Sequence, residues 1–308
     1  MSLAFVFPGQ GSQAIGMLAD LADSHSIVTE TFAQASEVLA YDLWQLSQQG
    51  PTEALNQTDK TQPAMLAAGV AVYRVWQQAG GVTPSIMAGH SLGEYTALVC
   101  AGALNFDDAI SLVADRGRFM QEAVPSGEGA MAAILGMEDD QVAALCEAQS
   151  QGQVLSPVNY NSPGQVVIAG NAAAVQRAVD NAADAGAKKA VMLPVSVPSH
   201  CSLMTSAADR LADRLASINI SQSIIPVIHN ADVTAYEDAD KIRDALVRQL
   251  FNPVRWVETI QAMASQGVDK IIECGPGKVL AGLNKRIDRR MPALPVFDPA
   301  SLEKALAE

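Results

Sequence analysis

The stretch Ile86-Met87-Ala88-Gly89-His90-Ser91-Leu92-Gly93-Glu94 restricts the fold more than any other part of the chain. A short apolar run ends in Gly89-His90-Ser91-Leu92-Gly93, which fits G-x-S-x-G, and residues 94–100 then read as the start of a helix. Strand, sharp turn and helix is the context of a nucleophile elbow. The glycines serve a turn so tight that Cβ atoms would clash with the crossing strand and helix. Such a turn holds the Ser91 hydroxyl proud of a sheet, at a helix N-terminus whose N–H groups suit an oxyanion.

Composition narrows the partners. The chain has 308 residues, 49% hydrophobic and 17% charged, enough for one large domain or a domain with an insertion. A net charge of -13 argues against sequence-independent nucleic-acid binding. The four cysteines, Cys100, Cys146, Cys201 and Cys274, form no C-x-x-C pair, so neither a zinc site nor a disulfide framework is expected. They read as reduced thiols of a cytoplasmic protein. The N-terminus lacks a basic signal-peptide region, and no apolar run reaches membrane-spanning length.

Taken in order, residues 3–7 predict a buried parallel strand ending at the loop Pro8-Gly9-Gln10-Gly11-Ser12-Gln13. This loop lacks the G-K-[ST] of a P-loop. Residues 27–78 read as helical, with breaks expected at Gly50-Pro51 and Gln62-Pro63, and 106–122 as a further helix. The rhythm then changes after Pro125-Ser126-Gly127-Glu128-Gly129. Strands at 130–135, 154–159, 166–169 and 189–193, with helices at 138–149 and 171–185, give the order βαββαβ, the ferredoxin-like arrangement.

The Pro-fixed segment Pro194-Val195-Ser196-Val197-Pro198-Ser199-His200 leads back to the main body. A helix at 202–215, a strand at 224–228, helices at 238–250 and 254–265 and a last strand at 270–273 follow. The fold expected is α/β: a parallel-sheet, α/β-hydrolase-like core from 1–125 and 198–308, with a ferredoxin-like subdomain inserted at 126–197.

A serine nucleophile needs a base. His25 lies in a polar stretch, and His90 follows a strand-like path that turns its side chain away from that of Ser91. His229 ends a strand near a sheet's C-terminal edge, and His200 follows the Pro-fixed segment. The residues alone leave both of these open. No Asp stands out as the orienting acid of a triad, which argues against an ordinary hydrolase. Cys201 lacks an elbow and reads as a structural thiol.

Four spaced motifs carry a resemblance: residues 7–13, residues 89–94, Val197-Pro198-Ser199-His200 and Glu273-Cys274-Gly275-Pro276-Gly277. Together they resemble the malonyl-CoA:acyl carrier protein transacylase family of bacterial type II fatty acid synthesis. The resemblance implies Ser91 as the acylated nucleophile and His200 as the general base, oriented by the backbone carbonyl of Gln249 in place of an acid. It implies Gln10 and Leu92 as backbone donors to an oxyanion and Arg116 as the partner of the malonyl carboxylate. Gln62 and Asn230 match positions near the family's site.

It further implies malonyl-CoA and an acidic acyl carrier protein as substrates, with no metal or redox cofactor, and a monomer without nucleic-acid or membrane partners. Lys188, Lys189, Lys285, Arg286 and Arg290 are the basic candidates to meet the carrier protein. The competing reading of the elbow is a serine esterase or thioesterase of the α/β-hydrolase class, which wants an acid between serine and histidine in chain order.

Overall fold

In the computed structural model, which describes residues 2–195 and 197–308, the apolar run at the N-terminus is the centre of a five-stranded sheet. Strands β1 (Leu3–Phe7), β2 (Ile86–Gly89), β7 (Val227–Ile228), β8 (Lys270–Cys274) and β9 (Ala293–Val296) lie in the order β7-β2-β1-β8-β9, all parallel. Because side chains alternate across a strand, β1 serves two cores. Leu3, Phe5 and Phe7 enter the larger one, with Val72 and Trp76 of the Thr58–Gln78 helix. Ala4 and Val6 enter the other, beside Trp256 and Ile260 of the Trp256–Ser265 helix. Phe5 and Phe7 are fully buried, and each contributes about 2–3 kcal/mol of transfer free energy.

Between β2 and β7 in sequence lie β3 (Gly129–Leu135), β4 (Leu155–Ser162), β5 (Gln165–Asn171) and β6 (Lys189–Met192). They form a separate antiparallel sheet in the order β4-β5-β3-β6. One face packs Ala132, Ile134 and Ile168 against the Asp139–Ser150 and Ala172–Asn181 helices. The other face carries Met131, Val158 and Val167 toward Cys201. The antiparallel sheet meets the main body where Asn159 bridges Val254, just ahead of the Trp256–Ser265 helix, and the Tyr160 N–H donates to Val254 O at 3.0 Å.

Several expectations change. Gln62-Pro63 is no break: Thr58–Gln78 is one continuous helix with Pro63 inside it. The hydrogen bond lost at Pro63 is outweighed by a helix whose residues 61–73 are all buried. The 224–228 strand shortens to Val227–Ile228, with Ile224 exposed. The 202–215 helix begins as a single 3-10 turn, Ser202–Met204, before Thr205–Ala216. Strand β4 extends through Ser162, leaving Pro163-Gly164 as the turn. The 270–273 strand is not the last, since β9 pairs with β8 and the Pro299–Ala307 helix follows. Pro295 masks β9 in the sequence, but β9 is an edge strand, where a missing N–H is tolerated. Within the expected segment 194–200, Ser196 lies outside the described residues.

Glu273 closes β8 with a capping role. Its carboxylate oxygens accept the N–H groups of Leu280 at 2.9 Å and Ala281 at 2.7 Å, at the start of the Val279–Ile287 helix. Burial pushes this carboxyl up to about 7, against the opposing pull of those N–H donors.

Candidate active site

The C-terminal ends of β1 and β2 deliver two turns side by side. In the register Phe7 pairs with Gly89, so Gln10 and Leu92 each lie three residues past a paired position. The turns interlock at two glycines: a Cβ on Gly93 would strike Phe7 O, and one on Gly9 would strike His90 O. Ser91 sits on the second turn with φ 52°, just before the Gly93–Cys100 helix. Neither the Gln10 nor the Leu92 N–H has an acceptor among the described residues, and both residues line the pocket that holds Ser91.

Ser91 Oγ lies 2.7 Å from His200 Nε2. His200 Nδ1 in turn lies 2.7 Å from the backbone O of Gln249, which ends the Ala239–Gln249 helix. The His200 N–H donates to Leu250 O at 2.9 Å. The last carbonyls of a helix have no partner within it and carry partial negative charge, so this histidine satisfies two of them. A carbonyl accepts only, which places the proton on Nδ1 and leaves Nε2 to accept from the Ser91 hydroxyl. Burial first, then the Arg116 guanidinium, push the His200 pKa down from 6.5 to about 3, so the ring is neutral near pH 7.

Arg116 comes from the Phe106–Ala123 helix, started by Asn105, whose Oδ1 accepts from the Asp107 and Asp108 N–H groups. Its buried positions include 106, 109, 110, 113, 116, 117 and 120, one helical face. Arg116 is therefore buried, whereas Arg118 points outward to Asp115. Arg116 donates to Gln62 Oε1 and Gln249 Oε1, each at 2.8 Å, and stands 3.4 Å from Ser91 Oγ. Among the described residues its Nε has no partner and no carboxylate pairs with it. Burial lowers its pKa, an effect that Tyr95 and Glu94 oppose.

Asn230 fixes the elbow: its Oδ1 accepts from the Ser91 N–H and its Nδ2 donates to Gly89 O, both at 2.7 Å. The structure thus brings Ser91, His200, Gln249, Gln10, Leu92, Arg116, Gln62 and Asn230 together. His229, the other histidine left open by sequence, does not reach Ser91. It lies 2.7 Å from Glu94 Oε1, both side chains fully buried. His90, expected to turn away from Ser91, lines the same pocket, with Nε2 2.8 Å from Asn161 Oδ1 and its ring against Trp256. Cys201 is buried, its thiol pushed up to about 11 by burial and donating to Pro198 O.

Sequence reasoning missed three contributors. Glu94 accepts the Asn230 N–H and Gln249 Nε2, each at 2.9 Å. Its signal was a carboxylate opening a helix that is otherwise uncharged and mostly buried. The Gln249 side chain bridges Arg116 and Glu94, a role invisible while only its carbonyl was considered. Asn159 lines the pocket from a bulge in β4, with Oδ1 buried and unpartnered among the described residues.

The basic candidates lie outside the pocket. Lys188 and Lys189 are exposed at the start of β6, and Lys285 and Arg286 at the end of the Val279–Ile287 helix. Lys189 pairs in register with Leu135, and Leu135 with Gln165, whose Oε1 accepts from Arg286 at 2.6 Å. Arg290 instead pairs with Asp288 at 3.1 Å.

The pocket itself is narrow, about 110 Å³, with Met120, Met131, Leu193 and Val197 as apolar walls. A larger groove of about 630 Å³ beside Arg74 and Phe106 holds none of these converging groups. Among the described residues no cluster of three His, Cys, Asp or Glu is placed to hold a metal ion, and no helix is long and apolar enough to cross a membrane.

Comparison with known proteins places the chain in a family. The family model for the acyl transferase domain matches residues 4–290. The malonyl CoA-acyl carrier protein transacylase of Escherichia coli (strain K12) is 60% identical over 303 residues, covering 98% of each chain. The malonyl CoA-acyl carrier protein transacylase structure from Coxiella burnetii superposes with a TM-score of 0.98 at 55% identity, covering 100% of this chain and 97% of that one. A malonyl-transacylase in complex with a type II PKS acyl-carrier protein gives a TM-score of 0.99 at 57% identity, covering 100% and 99%. The chain belongs to the acyl transferase domain family and, within it, to the malonyl CoA-acyl carrier protein transacylases.

Proposed function

We infer that the protein transfers a malonyl group from malonyl-CoA to the phosphopantetheine thiol of an acyl carrier protein, through a malonyl ester on Ser91, and so supplies fatty acid synthesis. The observation that carries the residue roles is the contact of a buried, carboxylate-free Arg116 with the same pocket as the Ser91–His200 pair.

Neutral His200 accepts the Ser91 proton at Nε2 as Oγ attacks the thioester carbonyl. The oxyanion lies against the Gln10 and Leu92 N–H groups. As the intermediate collapses, the C–S bond breaks and the imidazolium returns its proton to the departing thiolate. The carrier thiol then attacks the ester by the reverse path. The Gln249 carbonyl suffices as orienter, because a thiolate is a good leaving group and the helix C-terminus adds partial negative charge beside the ring. Arg116 offers a planar pair of donors to the malonyl carboxylate. Pairing offsets the guanidinium charge that depresses His200, so a bound carboxylate raises the basicity of the base.

The chain divides, on this reading, into an α/β-hydrolase-like catalytic part, 1–125 and 198–308, and a ferredoxin-like part, 126–197. The βαββαβ order and the strand order β4-β5-β3-β6 support the second. The row from Lys189 across to Arg286, with Lys188 and Lys285, faces an acidic carrier protein. None of these four is ion-paired among the described residues, in a chain of net charge -13. Arg290 is the weakest member, since Asp288 already holds it.

Intact mass spectrometry after brief exposure to malonyl-CoA, with peptide mapping and a Ser91→Ala control, tests the reading. The expected result is one malonyl group on the Ser91 peptide, discharged rapidly by holo-carrier protein and slowly by water. Release of CoA without an adduct would replace it with a thioesterase.

A further inference from the structure

Arg116 is buried without a contacting carboxylate, and its counter-charge stands one amide away. Gln249 Oε1 accepts from Arg116 Nη2 at 2.8 Å, while Gln249 Nε2 donates to Glu94 Oε2 at 2.9 Å and to Ser91 O at 3.0 Å. Glu94 and Gln249 are fully buried and Arg116 nearly so. Both Glu94 oxygens face donors: Oε2 also accepts the Asn230 N–H, and Oε1 lies 2.7 Å from His229 Nδ1. The Gln249 amide has one workable orientation. Turned round, its oxygen would face the Glu94 and Ser91 oxygens and its NH₂ would face the guanidinium.

A carboxylate touching Arg116 would form a two-pronged ion pair and occupy the donors that an acyl carboxylate needs. A carboxylate at one remove balances the buried guanidinium without covering it. We propose that the Gln249 side chain is a specificity-determining spacer, which holds the Glu94 carboxylate one hydrogen-bonded amide away from Arg116 and keeps the guanidinium open to the malonyl carboxylate. This inference rests on the malonyl-transfer reading of the Ser91 pocket. The backbone carbonyl that orients His200 is a separate function of the same residue, untouched by side-chain replacement. Gln249 is therefore a positioning residue twice over.

The test compares single-turnover acylation of Ser91 by malonyl-CoA and by acetyl-CoA, and reads the malonyl-to-acetyl ratio of kcat/KM. Gln249→Glu puts a carboxylate on Arg116, and the ratio should fall by about tenfold to a hundredfold, the span of one charged hydrogen bond. The swap variant, Glu94→Gln with Gln249→Glu, keeps the net charge and moves the carboxylate into contact. Its ratio should fall by a similar factor, and thermal unfolding of this charge-balanced variant checks the fold. Glu94→Gln alone should leave the ratio at or above that of the wild type. A swap variant with the wild-type ratio would overturn the proposal, as would a parallel loss of both acyl groups in Gln249→Glu and the swap. The wild-type malonyl adduct on Ser91 reports on the transfer reading by itself, so the two failures are distinguishable.

Discussion

Ser91 and His200 meet at 2.7 Å with left-handed backbones on both sides of the contact, at φ 52° and 66°. For a residue with a Cβ this conformation costs about 1 kcal/mol or more, so the site stores strain in the two groups it brings together. At an unstrained position alanine is more stable than glycine. Here the order should invert: Ser91→Gly should exceed Ser91→Ala by about 1 kcal/mol in chemical denaturation, both lacking the hydroxyl. An alanine variant equal to or above the glycine variant would remove strain from the account.

The low pKa of His200 has two consequences with a fixed sign. Its neutral form is the proton acceptor, and that form persists above a pKa of about 3, set first by burial and then by Arg116. The kcat/KM for acylation by malonyl-CoA, which reports the free enzyme, should therefore stay nearly flat down to about pH 5, where an ordinary histidine would already be protonated. For stability, the unfolded ring binds a proton below 6.5 and the folded ring only near 3. The unfolded state holds more protons in that window, so this contribution is present above 6.5 and is lost as pH falls toward 3. The difference in unfolding free energy between wild type and His200→Gln should shift in favour of the variant between pH 7 and pH 4, by about 1.4 kcal/mol per pH unit at most.

Asn230 joins two strands' worth of turn through one carboxamide. Replacement by alanine leaves the Ser91 N–H and Gly89 O without partners in a buried setting. The expected loss is about 1–3 kcal/mol in denaturant unfolding. Turnover should fall through kcat more than through the KM for malonyl-CoA, because Arg116 is untouched. An equal change in both would place Asn230 in contact with substrate instead.

Charge reversal along the row that ends at Arg286 addresses the carrier protein. Lys189→Glu combined with Arg286→Glu should raise the KM for the carrier protein by about tenfold and the KM for malonyl-CoA by less. The difference should shrink at high ionic strength, since these side chains are exposed. A change of the same size for both substrates would assign the row to CoA.

The elbow was legible because strand, turn and helix are contiguous there, and local glycine chemistry specifies them. The inserted βαββαβ order was legible for the same reason. What remained hidden depends on approach in space. Glu94 and His229 are 135 residues apart, and nothing in either segment indicates the other. His229 ends a strand and His200 follows the Pro-fixed segment, and only contact separates the base from the partner of Glu94. Pro63 and Pro295 misled in opposite structural settings. A long buried helix absorbed one, and an edge strand accommodated the other.

The Phe7–Gly89 register has a consequence for how this site is probed. The free N–H groups of Gln10 and Leu92 come from main chain placed by strand alignment, so replacing either side chain leaves both donors where they are. An alanine scan would pass over this half of the site in silence. Only an edit to the peptide linkage itself, an ester in place of the amide, would make these two groups visible to kinetics.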